Sequence, residues 1–174
     1  MTDSPPIASP SRRRSSSGRE LRHLARLRAL QALFAFEFAA PDEPPEQVER
    51  AFLGMHSSHR RQWRPLSREL VEKVRLDHDA LDTLIAPLLR HWDIERIPLV
   101  DRICLRMALC ELHDFHDIPL RVTINEYIEL VREFSGEESC QYVNAVLDRL
   151  AQNLGARDFQ ASSPKKPPRE EPSL

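Results

Sequence analysis

The chain has 174 residues, enough for one domain with a sizeable core; its 14 prolines gather at the two ends and around Pro41–Pro45, and it holds only four glycines, Gly18, Gly54, Gly136 and Gly155. So little glycine excludes a Gly-rich phosphate loop and a sheet protein full of tight turns. The three cysteines, Cys104, Cys110 and Cys140, are odd in number and fall within helical patterns, the usage of a reduced, cytoplasmic protein. Arg or Asp interrupts every apolar run before it reaches membrane-spanning length, and the basic N-terminus lacks the apolar segment of a secretory signal.

The formal net charge of −2 hides a lopsided distribution. Residues 1–28 hold seven arginines against Asp3 and Glu20, a balance of +5, which leaves −7 for the remainder. A basic end on an acidic body points to a polyanion partner at one place and a basic partner at another.

In chain order, residues 1–18 mix Ser, Pro and Arg with almost nothing to bury and read as a disordered basic arm. The first helix is predicted from about Ser17–Arg19 to Ala39, where Pro41 stops it. Its apolar positions are Leu21, Leu24, Leu27, Leu30, Leu33, Phe34 and Phe38. Its arginines lie in its first half only, so it is expected to be exposed and basic at its start and buried from Ala29 onward. A second helix over about Glu46–His56 follows Asp42 and Pro44–Pro45, with Val48, Phe52 and Met55 inward. His56–Pro65 reads as a polar, basic loop. The third helix begins after Ser67 and carries Leu70, Val74, Leu81, Leu84, Ile85 and Leu88, with Pro87 kinking or ending it.

Pro98 opens a fourth helix, to about His113. Val100, Ile103, Cys104, Leu105, Met107, Ala108, Leu109 and Leu112 leave it only a narrow polar strip of Asp101, Arg102 and Arg106. A helix apolar on most sides belongs in the middle of a bundle. Pro119–Ala151 then reads as two helices joined by one tight turn. Thr123-Ile-Asn-Glu126 and Ser135-Gly-Glu-Glu138 both match a capping box, in which the hydroxyl accepts from the amide three residues on and the Glu reaches back. Ile124, Ile128, Val131 and Phe134 follow the first box at helical spacing; Cys140, Val143, Leu147, Leu150 and Leu154 follow the second. The two stripes predict an antiparallel helical hairpin. Residues 19–154 form the helical domain, and 155–174, rich in Pro, Lys, Arg and Glu, read as a disordered tail. No segment alternates like a strand, so the fold class is all-α.

Three constellations bear on chemistry. Cys110-x2-His113-x2-His116 has metal-like spacing, but Pro119 ends the helix and no second cysteine pair supplies the missing ligands; a buried Cys followed by solvated histidines at a helix C-terminus accounts for it. His56-x2-His59, in a polar loop, is weaker still. No serine sits in a Gly-x-Ser-x-Gly elbow, and helix-face pairing explains the acidic residues, with Glu137 and Glu138 favourable at a helix N-terminus. Nothing favours an enzyme, a cofactor or a metal. The basic start of the first helix is the better signal: Arg19, Arg22 and Arg26 lie one turn apart and suit consecutive phosphates, with Arg121 available ahead of the hairpin. Positive charge alone sets no sequence preference, and a solvated helix end explains the same residues.

At the hairpin the pattern becomes specific. Ile124-Asn125-Glu126, Ile128-Glu129-Leu130, Phe134, Glu137-Glu138-Ser139, Val143-Asn144 and Val146-Leu147-Asp148 together resemble the C-terminal signature of the NusB family of transcription antitermination factors. Leu105–Leu112 is similar to the family's LRxALxEL, and Ala29-Leu30-Gln31-Ala32-Leu33-Phe34 to its ALQALY, so the resemblance runs from about Leu21 to Leu154 in the family's order. It implies two packed three-helix bundles and a binding role without catalysis. The implied partners are box A RNA of ribosomal RNA leader transcripts, the small-subunit ribosomal protein NusE, and through them the RNA polymerase antitermination complex.

By the same resemblance, the arginine-rich start of the first helix contacts RNA, here at Arg22 and Arg26 with Arg19 beside them. The family's arginine run is broken by His23 and Leu24, and Arg28 stands where a small or apolar residue is usual. An acidic face that meets NusE maps onto Asp101 and Glu138, and Phe34 stands where the family usually has Tyr. Tyr142, beside Gln141 on the last helix, is a candidate base contact; a tyrosine packed between helices is the equal alternative. Two other readings follow from the fold. One is a protein-interaction module that self-associates as a homodimer and has weakened or lost box A binding. The other is a domain of an RNA methyltransferase, for which the chain leaves no room for a cofactor-binding unit.

Overall fold

The computed structural model describes residues 13–39, 47, 51, 60–90 and 93–162. Among these, six α-helices and two 3-10 turns make up the regular structure, and no strand occurs. The helices are α1 (Arg13–Phe36), α2 (Arg60–Leu76), α3 (His78–Ile85), α4 (Leu99–Asp114), α5 (Leu120–Ser135) and α6 (Glu137–Ser162). The 3-10 turns Ala86–Leu88 and Ile94–Arg96 connect α3 to α4. The helix predicted over Glu46–His56 and the His56-x2-His59 pair lie outside the described residues, apart from helical Gln47 and Ala51.

The helix α4 has neighbours all round. It touches α1, α2, α3, α5 and α6, and Ile103 through Glu111 are all buried. That is the position its nearly uniform apolar surface predicts. Most of α1 packs on α2, burying Ala25, Ala29, Leu30, Ala32 and Leu33. The hairpin α5–α6 also packs on α4, with Tyr127, Leu130, Val131, Val143, Val146 and Leu147 fully buried.

Several boundaries depart from the sequence reading. Both ends of the helical body lie further out than 19–154, because α1 reaches back to Arg13 and α6 runs through Gly155 to Ser162. Extending an existing helix costs little, and one interior glycine costs only about 1 kcal/mol, so neither Ser-Arg composition nor Gly155 forces a stop. The third predicted helix is two helices: α2 begins at Arg60, carries Pro65 in its second turn, and breaks at Asp77 (φ −105°, ψ 17°) before α3.

Neither capping box forms. Pro119 is the residue before α5, so Thr123 and Glu126 sit within the helix, both buried. Ser135 is the last residue of α5, and the turn is made by Gly136 at φ +90°, whose carbonyl accepts the Cys140 amide at 3.2 Å and so starts α6. Glu137 closes the turn from outside through Arg132 Nε at 3.1 Å, which holds the Arg132 guanidinium even more firmly charged than usual. Phe134, predicted inward, is 46% exposed, because Tyr127 and Leu130 take the inner face instead.

Candidate nucleic-acid interface

The arginines of α1 separate into two environments. Arg22 is exposed. Arg26 is fully buried, and this corrects its assignment as a phosphate contact. Its Nε donates to Glu111 Oε2 at 2.9 Å, its Nη2 to Glu111 Oε1 at 2.6 Å and its Nη1 to Glu126 Oε2 at 3.3 Å. Burial works against the Arg26 charge, but the two carboxylates outweigh it and raise the pKa above the ordinary guanidinium value. No phosphate can reach a cation enclosed in this way.

Around that ion pair a polar network is built from three helices. Glu111 on α4 also accepts the Thr123 hydroxyl at 2.8 Å and the Tyr127 hydroxyl at 3.0 Å, both from α5. Burial, and then the nearby Glu111 charge, push the Tyr127 phenol well above its ordinary value, so it stays a donor. Glu126, 3% exposed, takes His23 Nδ1 at 3.2 Å on the oxygen it shares with Arg26 and Arg19 Nε at 3.3 Å on the other. Arg19 then reaches outward, Nη2 to Glu129 Oε1 at 3.1 Å, with two thirds of its side chain exposed. The residues predicted as a cap thus fix the depth at which α1 meets α5. Arg19, His23 and Arg22 stand above that floor, and Arg121 is exposed in the first turn of α5.

The metal-like spacing at Cys110, His113 and His116 does not assemble into a ligand set. Cys110 is buried, with its thiol pushed up to about 12 by desolvation, while His113 is exposed and pairs with Asp114. His23, Glu126 and Glu129 do bring ligand atoms within 4.8 Å of one another. Arg19 and Arg26 already donate to those carboxylates, so a metal ion would have to compete with two guanidiniums.

A second surface collects two of the three predicted partner residues, Asp101 and Glu138. Between α4 and α6 lies a cleft of about 430 Å³ lined by Asp101, Glu138, Ser135, Ser139, Tyr142 and Arg96. Asp101 is only 1% exposed, so it is not a surface acid but the floor of the cleft, and its Oδ1 has no hydrogen-bond partner. The Tyr142 hydroxyl in the same cleft is also buried and unpaired, and burial raises its pKa. Tyr142 therefore belongs with Asp101 and exposed Glu138 rather than with the arginines of α1. Phe34 lines a separate, mostly apolar groove of about 500 Å³ with Val100 and Phe134, and its ring lies 5.1 Å from that of Phe38. Sequence reasoning missed Glu111, Thr123, Tyr127 and Glu126 as a unit; the signal available was one acidic residue, Glu111, in the helix read as the centre of the bundle.

The NusB family model matches residues 23–152, which spans all of α2 to α5 and most of α1 and α6. A transcription antitermination protein NusB of Myxococcus xanthus is 39% identical over 132 residues, covering 75% of this chain and 94% of the relative. One from Bacillus mycoides is 35% identical over 133 residues, covering 76% and 98%. Among solved structures, T. maritima NusB superposes with a TM-score of 0.70 at 32% identity, covering 80% of this chain and 96% of that one. The fold is also shared, at 22% identity and a TM-score of 0.63, with a crystal structure of antitermination factors NusB and NusE in complex with dsRNA, covering 77% and 98%.

Proposed function

The chain belongs to the NusB family, and from that premise we propose that it is a non-catalytic, RNA-binding antitermination factor acting in the cytoplasm. With NusE it binds box A RNA of ribosomal RNA leader transcripts and joins the RNA polymerase antitermination complex. The observation that carries this reading is the exposed basic end of α1, with Arg22 and Arg19 outward over the buried Arg26–Glu111–Glu126 network. A buried, paired floor under exposed cations presents charge to a phosphate chain without letting the helix shift. His23 lies on the same face through Glu126, and Arg26 serves it from below; exposed Arg121, at the start of α5, is a further cation available to the RNA.

The α4–α6 cleft supports the NusE half of the proposal. Asp101 Oδ1 and the Tyr142 hydroxyl lack partners inside a cleft whose rim carries Glu138. A basic side chain from the partner would pair with exposed Glu138 on the rim, with the buried Asp101 charge adding its field from beneath, the kind of charge pairing that anchors an interface. Phe34 adds an apolar contact beside it.

Titration with single-stranded box A RNA, with and without NusE, tests the proposal. Affinity should fall steeply with salt, rise when NusE is present, and drop in Arg22→Ala with no loss of melting temperature. Weak binding that is indifferent to salt and to Arg22→Ala would refute the RNA role of this face. Glu138→Lys should weaken NusE binding while the far-UV spectrum is unchanged; unaltered NusE affinity would remove the cleft from the interface.

The exposed Phe34, Phe38 and Phe134 favour a second reading, a self-associating interaction module with weakened RNA binding. A concentration-dependent mass by light scattering that is abolished by Phe134→Ser, together with no box A affinity, would establish it instead.

A further inference from the structure

The outermost cation of the basic face is not free. Arg19 spans two carboxylates of α5, Glu126 at 3.3 Å and Glu129 at 3.1 Å. These two acids differ in what they need from it. Glu126 is buried and holds His23 Nδ1 and Arg26 Nη1 on Oε2, while its Oε1 takes Arg19 Nε, so that contact is one Arg19 keeps. Glu129 has a side chain 45% exposed and passes to water. Its nearest other cation along α5, Arg132, is held at 3.1 Å by Glu137 across the Gly136 turn. Glu133, one turn further along α5, adds a second exposed carboxylate and no cation. The Arg19 Nη2–Glu129 contact therefore breaks without leaving a buried group unsatisfied.

We propose that Glu129 is an affinity-setting residue of the RNA face, competing with a backbone phosphate for the Arg19 guanidinium. The inference rests on the RNA-binding reading of α1. In the free protein Glu129 and Glu126 clamp Arg19 against α5; a phosphate entering the face takes Nη2 from Glu129 while Nε stays on Glu126, and Glu129 becomes solvated. An ion pair this exposed contributes little, so its removal changes RNA affinity by a few-fold rather than by orders of magnitude. A carboxylate beside the phosphate path also lowers affinity through its field alone, so the test must separate competition for Arg19 from general repulsion.

The experiment titrates box A RNA across a salt series with the full chain, Glu129→Gln, Arg19→Ala and the double variant. Glu129→Gln should bind about two- to fivefold more tightly. Its salt slope should steepen by up to about 0.7, one further phosphate neutralised on a single strand. In the Arg19→Ala background the gain should vanish. A gain that persists without Arg19 identifies repulsion and overturns the competition, as does a Glu129→Gln affinity that is unchanged or weaker. If Arg22→Ala weakens binding but Glu129→Gln does nothing, this inference alone fails. If no variant shows salt-dependent binding, both it and the RNA reading fail.

Discussion

Arg26 and Glu111 meet edge to edge, joined by two hydrogen bonds of 2.9 and 2.6 Å, and neither side chain is more than 1% exposed. Such a pair gains its geometry at a high desolvation cost, and its value appears when one partner is removed. Arg26→Ala leaves Glu111 and Glu126 with one cation fewer in the interior and is expected to cost about 3–5 kcal/mol in urea unfolding. Arg26→Met combined with Glu111→Gln removes both charges and should recover part of that loss. RNA binding lost in Arg26→Ala thus reports a damaged floor, and the melting temperature, unchanged in Arg22→Ala, tells the two arginines apart.

Gly136→Ala isolates a backbone effect. A Cβ there would meet nothing within 4 Å, so no neighbour resists it. The cost comes from φ +90° with ψ −178°, a region open almost only to glycine, and is expected at about 1–3 kcal/mol. Thermal unfolding should show the loss, with RNA and NusE affinities retained at temperatures where the variant is folded.

For Asp101, stability and binding should separate. The carboxylate sits in the first turn of α4, where the helix N-terminus favours it, but its buried Oδ1 lacks a donor. These effects oppose each other, so Asp101→Asn should shift stability by no more than about 1 kcal/mol. NusE affinity should nevertheless fall, because a basic partner group at Glu138 loses the negative field of the carboxylate beneath it. Equal affinity for both forms, measured by calorimetry, would show that no cation enters the cleft.

The pair Lys73–Asp114, at 2.9 Å, gives a pH dependence with a definite sign. Burial raises the Asp114 pKa, but Lys73, with help from His113, outweighs it and lowers the folded value below 3.8. Lys73 is raised above 10.5, first through its hydrogen bond to Asp114. A lowered carboxyl contributes stability that is present above its unfolded pKa and lost as pH falls through the folded one; a raised amine contributes below its unfolded pKa and loses it as pH rises. The contribution is therefore intact between about pH 5 and 9 and declines on both sides. Asp114→Asn should flatten the acid side of the stability curve relative to the parent protein, by a small amount given the exposure of both groups.

Much of this was legible in the sequence. The nearly all-apolar Val100–Leu112 segment identified the central helix, and the Pro119–Ala151 stripes identified the hairpin, because periodicity reports burial directly. The polar core was not legible. Thr123 and Glu126 have the spacing of a capping box, and Arg22 and Arg26 that of an exposed stripe, yet Glu126 and Arg26 are buried together. Spacing cannot tell a cap from a network member when the deciding partner, Glu111, lies elsewhere in the chain. Asp101 failed for the same reason: an acid at a helix start reads as surface, whereas α6 covers this one.

The Arg26 contacts also order events in time. Glu111 and Glu126 lie 85 and 100 residues further along the chain, so on the ribosome α1 is made long before either carboxylate exists. Until α4 and α5 have emerged, the arginines of α1 are all solvated, and what becomes the deepest cation is indistinguishable from its neighbours. The basic face is completed by the last third of the polypeptide, so a nascent chain truncated before α5 would carry the charge of the proposed RNA site without its shape.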